Sequence, residues 1–104
     1  MAQFDVYANP NPATKRAIPY LLDIQTDLLS NLTTRVVIPL YTVSAMGKAV
    51  KYLNLQFPVK RTTVIMSTAE LAGVEVKCLG EKVCSLKEHR NEIIAAIDFL
   101  VTGF

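Results

Sequence analysis

Apolar and polar residues alternate with a period of two over most of this chain. Phe4, Val6 and Ala8 alternate with Gln3, Asp5 and Tyr7. Ile18, Tyr20, Leu22 and Ile24 form a second row, with Asp23 and Gln25 set against it. That period puts neighbouring side chains on opposite faces of a sheet, so both stretches predict half-buried strands with Asp23 and Gln25 facing outward. Pro19 lacks an N–H and suits a strand start or an edge. Between the rows, residues 9–16 hold two Asn-Pro pairs, which disfavour helix and predict an exposed loop of about eight residues. Asp27, Ser30 and Asn31 around Leu28 and Leu29 predict a turn. In residues 35–41 the alternation stops at Val36, Val37 and Ile38, the pattern of a strand covered on both faces.

Residues 41–52 are mixed: Val43, Met46 and Val50 stand at helical spacing, but Gly47 interrupts them. Leu53, Leu55, Phe57 and Val59 alternate again, residues 62–68 are rich in β-branched side chains, and Val74, Val76 and Cys78 alternate with Glu75 and Lys77. Gly80 and Glu81 predict the turn that follows. The period then changes. Leu86, Ile93, Ile97, Leu100 and Val101 recur every three or four residues, which predicts a helix over 86–101 with Gly103 as its stop. Ser85 and Glu88 have the spacing of a capping box, Ser85 capping the helix and Glu88 reaching back. Without repeats or linkers, residues 1–104 read as one domain, mainly β with one long C-terminal helix.

Composition changes this picture only through charge. Apolar residues make up 51% of the 104, but charged ones only 19%, against about 25% in typical domains. The net charge of +2 gives no reason to expect a nucleic-acid or membrane-surface binder. No run approaches the roughly 18 apolar residues of a membrane span, and no secretory signal opens the sequence, so a cytoplasmic location is expected. The depletion is local. Between Leu28 and Ala69 there is no acid, only Arg35, Lys48, Lys51, Lys60 and Arg61, a basic stretch that reads as solvated surface. After Glu92 a single charged residue remains, Asp98. Ile93, Ile97 and Leu100 make one stripe toward a sheet, leaving Ile94, Phe99, Val101 and two alanines in need of a second covering surface. A helix apolar all round is buried all round, so its end predicts a protein interface.

Chemistry is sparse. Cys78 reads as a small core residue and Cys84 as an incidental thiol; with His89 they fall short of the four ligands of a structural zinc site. His89 reads as a surface residue, and the four scattered glycines form no phosphate loop. No catalytic residue, metal or cofactor is expected.

Several segments together resemble the CcdB family of toxins that poison DNA gyrase. They are QFDVY (3–7), LLDIQTDLL (21–29), RVVIPL (35–40), VEVKCLGEKVCSL (74–86), and NEIIAAI with a terminal Thr-Gly-Phe. The resemblance implies an SH3-like, partly closed antiparallel barrel with a small extra sheet and a long C-terminal helix. It also implies a symmetric homodimer without enzymatic activity, which binds the gyrase A subunit and traps the gyrase–DNA cleavage complex. Such a toxin serves plasmid maintenance and is neutralised by a cognate antitoxin with a disordered acidic segment. Carried onto this sequence, the gyrase-binding positions are Thr26, Leu28, Asn91, Asp98, Thr102, Gly103 and Phe104. The antitoxin-binding positions are Asn9, Asn11, Lys15, Arg16 and Phe99. The best-known members end in Trp-Gly-Ile with an amide at the position of Asp98; here the ending is Thr102, Gly103 and Phe104. Two other readings share the pattern. One is a MazF-like endoribonuclease using Arg35 with Thr33 or Thr34; the other is a non-toxic homologue that only binds antitoxin.

Overall fold

In the computed structural model, which describes residues 1–47 and 53–103, the strands are β1 (Asp5–Ala8), β2 (Tyr20–Asp23), β3 (Thr34–Thr42), β4 (Gln56–Val59), β5 (Thr62–Met66), β6 (Ala72–Glu75) and β7 (Lys82–Ser85). They form one antiparallel sheet in the order β4-β5-β3-β2-β1-β7, with β6 paired to β3 off that path. A short helix α1 (Val43–Met46) follows β3, and a long one, α2 (Arg90–Thr102), follows β7. Val50, the third residue of the predicted helical spacing, lies outside the described residues.

The register explains the core. Val6 pairs with Leu22, and Leu22 with Ile38, so one row of apolar side chains crosses three strands. Phe4, Leu40, Phe57, Val59, Val64, Met66 and Leu86 join it. Of the unbroken apolar run in β3, Val37 and Ile38 are buried and Val36 is half-buried, and burial continues through Pro39 and Leu40; the strand pairs with β2 on one edge and with β6 then β5 on the other. The sheet curls until its ends approach. The Phe57 ring on β4 lies 4.8 Å from His89, just beyond β7, and α2 seals the open side with Ile93 and Ala96. This is a mainly antiparallel half-barrel with one long C-terminal helix, compatible with an SH3-like barrel. His89 is partly exposed at the barrel's rim.

Four local expectations change. β6 ends at Glu75 and Val76–Cys78 turns as a 3-10 helix, so Cys78 is exposed while Cys84, on β7, is the half-buried thiol. The helical segment opens with a 3-10 turn, Lys87–His89, before α2 begins at Arg90. Ser85 Oγ accepts from Lys87 N at 3.2 Å, so it opens that turn and no capping box forms with Glu88. The helix stripe also shifts: Ala96 is buried with Ile93, while Ile97 and Leu100 are half-buried. Gly103 does stop the helix, at φ 81°, where a left-handed residue suits glycine.

Gly80 sits where the chain crosses back to β1. Its N–H donates to Ala8 O at 2.9 Å, and a Cβ there would stand 2.6 Å from the same oxygen. Backbone cannot yield as a side chain does. Gly80→Ala is expected to cost about 1–3 kcal/mol in unfolding free energy, measured by urea denaturation.

Candidate functional site

Asp23 and Gln25 do not face outward. Asp23 has no exposed surface and Gln25 is buried, and Asp5 is buried beside them. The reason lies across the sheet. Asp23 pairs with Val37, which places Arg35, two residues along β3, diagonally opposite on the same face. Arg35 is itself 1% exposed, and its Nε and Nη2 donate to Asp23 Oδ2 at 2.8 and 2.7 Å. Its Nη2 also reaches Gln25 O at 3.2 Å, and Gln25 N donates to Asp23 Oδ1 at 3.0 Å. Arg35 Nη1 is buried with no hydrogen-bond partner among the described residues. Asp5 accepts from Ala2 N and from the Tyr7 hydroxyl, and Lys82 Nζ lies 3.4 Å from it. Burial pushes the Asp23 carboxyl up from its usual range, with Asp5 adding to the shift and the Arg35 and Gln25 contacts opposing it. Burial, then the Asp5 charge, pushes the Tyr7 phenol up to about 12.

The predicted turn is a 3-10 helix, Asp27–Leu29, capped by Thr26, whose Oγ1 accepts from Leu28 N at 3.3 Å. Leu28 is 91% exposed. The N-terminal segment braces the turn, with Gln3 N donating to Asp27 Oδ1 at 2.7 Å. Beside it opens a largely apolar cavity of about 580 Å³ lined by Met1, Ser30, Leu32, Thr33, Glu75, Val76 and Lys77.

Asn91, Asp98 and Thr102 are exposed on α2, and their spacing of seven and four sets them on one helix face. Thr102 Oγ1 donates to Asp98 O at 2.7 Å, and Gly103 N to Phe99 O at 2.9 Å, which closes the last turn. Val101 beside them is 74% exposed, and Phe99 is half-buried. Phe104 lies outside the described residues. Among the described residues no hydrogen bond or ion pair joins Thr26 or Leu28 to this helix end. The two groups stand on separate elements.

In the loop of residues 9–16, Asn9 Nδ2 donates to Ile18 O and Thr14 Oγ1, and Asn11 Oδ1 accepts from Ala13 N. Asn9 and Asn11 thus shape the loop, while Lys15 and Arg16 are exposed upon it. Arg35, by contrast, is committed to the interior and stands where no phosphate reaches it. Sequence patterning missed the Asp23–Arg35–Gln25 network and the cavity. A lone arginine opening an otherwise apolar strand was the available signal. Among the described residues no helix is long and apolar enough to cross a membrane, and no cluster of three or more His, Cys, Asp or Glu side chains is placed to hold a metal ion.

The family model described as CcdB protein matches residues 3–103. Among solved structures, the chain is similar to an endoribonuclease in complex with its cognate antitoxin from a mycobacterial species. The TM-score is 0.76 at 12% sequence identity, covering 97% of this chain and 94% of that one. At that identity the likeness concerns the fold.

Proposed function

The chain belongs to the CcdB protein family, and from that membership we propose that it is the toxin of a toxin–antitoxin pair, acting by binding the DNA gyrase A subunit and trapping the gyrase–DNA cleavage complex. The observation that carries this reading is the exposed end of α2. Asp98 and Thr102, with Gly103 just past the helix, stand in solvent beside an exposed Val101 in a segment otherwise apolar from Ile93 on, and Asn91 shares the face of Asp98 and Thr102. Leu28, lifted clear of the barrel by the Thr26-capped turn, supplies a second contact. The protein works by binding, without catalytic residues, and as a homodimer one such patch would be used twice against a two-fold target.

A disordered, acidic antitoxin segment would fold over the helix end around Phe99 and over the loop bearing Lys15 and Arg16. The similar endoribonuclease is likewise held by a cognate antitoxin. That likeness also favours a second reading, RNA cleavage. The one basic residue proposed for it, Arg35, is buried and ion-paired, which supports gyrase binding over that alternative. Either target places the protein in the cytoplasm.

With purified gyrase and supercoiled plasmid, the protein is expected to make linear DNA accumulate after denaturation, and to leave RNA intact. Absence of linear product would overturn gyrase poisoning; RNA cleavage would move the assignment to the ribonuclease. Binding of antitoxin without either effect would mark a non-toxic homologue.

A further inference from the structure

We propose that Gln25 is a positioning residue whose carboxamide fixes the turn of residues 26–33 as a preformed docking surface for gyrase. The inference rests on the gyrase reading above and adds the element that holds one of its contacts in place.

All eight residues of that turn are exposed, and three are leucines: Leu28 at 91%, Leu29 at 47% and Leu32 at 49%. Such a segment gains no order from burying its own side chains, so its shape must come from polar ties to something rigid. Gln3 N and Val76 N tie it near its two ends, through Asp27 Oδ1 and Thr33 O, and Gln25 supplies the tie at its centre. Its Nε2 donates to Leu29 O at 3.1 Å in the middle of the turn and to Thr34 O at 3.2 Å beyond its end. Its Oε1 accepts from Val36 N at 3.1 Å, on β3. A carboxamide alone among side chains of this length offers two donors and an acceptor from one planar group. Glutamate would set an acceptor oxygen against two carbonyls.

Gln25 is rigid in its turn. Asp23 Oδ1 holds its N–H and Arg35 Nη2 holds its carbonyl, at 3.0 and 3.2 Å. The buried ion pair therefore grips the backbone of Gln25, and its side chain grips the leucine turn. A partner that docks on Leu28 meets a surface already in shape and does not bear the cost of ordering it.

The test uses the full chain, with Gln25→Met, which keeps length but has no donor, Gln25→Ala, and Leu28→Ala. Binding to purified gyrase A subunit is measured beside amide exchange in the free and bound protein. The glutamine variants are expected to bind roughly tenfold more weakly. Their turn amides exchange quickly when free and become protected on binding, while core amides of β2 and β3 stay as in the wild type. Leu28→Ala should weaken binding without changing exchange. Wild-type binding by a folded glutamine variant, with Leu28→Ala weakened, would overturn the role of Gln25 and leave the gyrase reading intact. If both bind normally, the turn is no docking surface and the inference fails alone. Failure of the wild type itself to bind gyrase would overturn the gyrase reading and, with it, the docking partner assigned here. Should Gln25→Ala not fold, Gln25→Met decides, and loss of core protection in both would overturn the inference in favour of a purely structural glutamine.

Discussion

A chain lacking residues 102–104 is expected to stay folded and to lose gyrase trapping and growth arrest. The residues that seal the barrel, Ile93 and Ala96, lie well inside α2, whereas Thr102 and Gly103 are exposed. What they contribute to stability is the closing of the last turn, through the bonds to Asp98 O and Phe99 O. Losing it frays a helix end and should lower the melting temperature by about 4–8 °C, the effect of roughly 1 kcal/mol in a domain of this size. Function is expected to depend on the same residues far more steeply, because interfaces concentrate their binding energy in a few central side chains. The checks are growth after induced expression, linear plasmid yield with purified gyrase, and thermal melting by circular dichroism. Growth arrest by the truncated chain would move the contact to Thr26 and Leu28.

Arg35→Met should be the most damaging single substitution for the fold. It leaves the Asp23 carboxylate buried without its counter-charge, and breaking a pair so deeply enclosed costs about 3–5 kcal/mol. In a domain of this size that corresponds to a fall of about 15 °C or more in melting temperature. The loss has a pH signature. The folded Asp23 proton is already held above its usual range by burial, whereas the unfolded carboxyl titrates near 3.8. As the pH rises past that value the unfolded chain ionises first, so the stability contributed by the protonated group is lost toward neutral pH. Without Arg35 this slope steepens. The variant should therefore regain stability in acid, and Asp23→Asn placed beside it should flatten the dependence. Melting curves between pH 4 and 7 for the two single variants and the double one separate these effects. A pH-independent loss equal in all three would deny the pair its role.

Strand positions were legible because alternation is local: Phe4, Val6, Leu22, Phe57 and Val59 are all buried where the period of two set them. Alternation separates two faces without saying what covers each. Asp23 and Gln25 were placed outward because they are polar, yet that face is closed by Arg35, brought across from β3, and by the turn that follows Gln25 folding back over it, neither of which alternation encodes. Cys78 went the same way: nothing in Val-Glu-Val-Lys-Cys marks the point where β6 gives way to a 3-10 turn. Of the candidate site, the helix end was legible as an apolar excess with nothing local to cover it, whereas Leu28 entered only through the family resemblance, its turn being read from Asp27, Ser30 and Asn31. The glutamine that holds the turn was not legible, since its role exists only once Leu29, Thr34 and Val36 are brought together.

The place of β1 in the sheet bears on how the toxin comes into being. It lies between β2 and β7, and Asp5 pairs with Ser85 across almost the whole chain. Contacts this distant in sequence form late and slow folding. A chain emerging from the ribosome can assemble the β2–β3 and β4–β5 hairpins, but β1 keeps an open edge and Ile93 is missing from the core until β7 and α2 have been made. The barrel therefore cannot close strand by strand as it is made: its last pairing and the sealing of its core both wait for the C-terminal fifth of the chain.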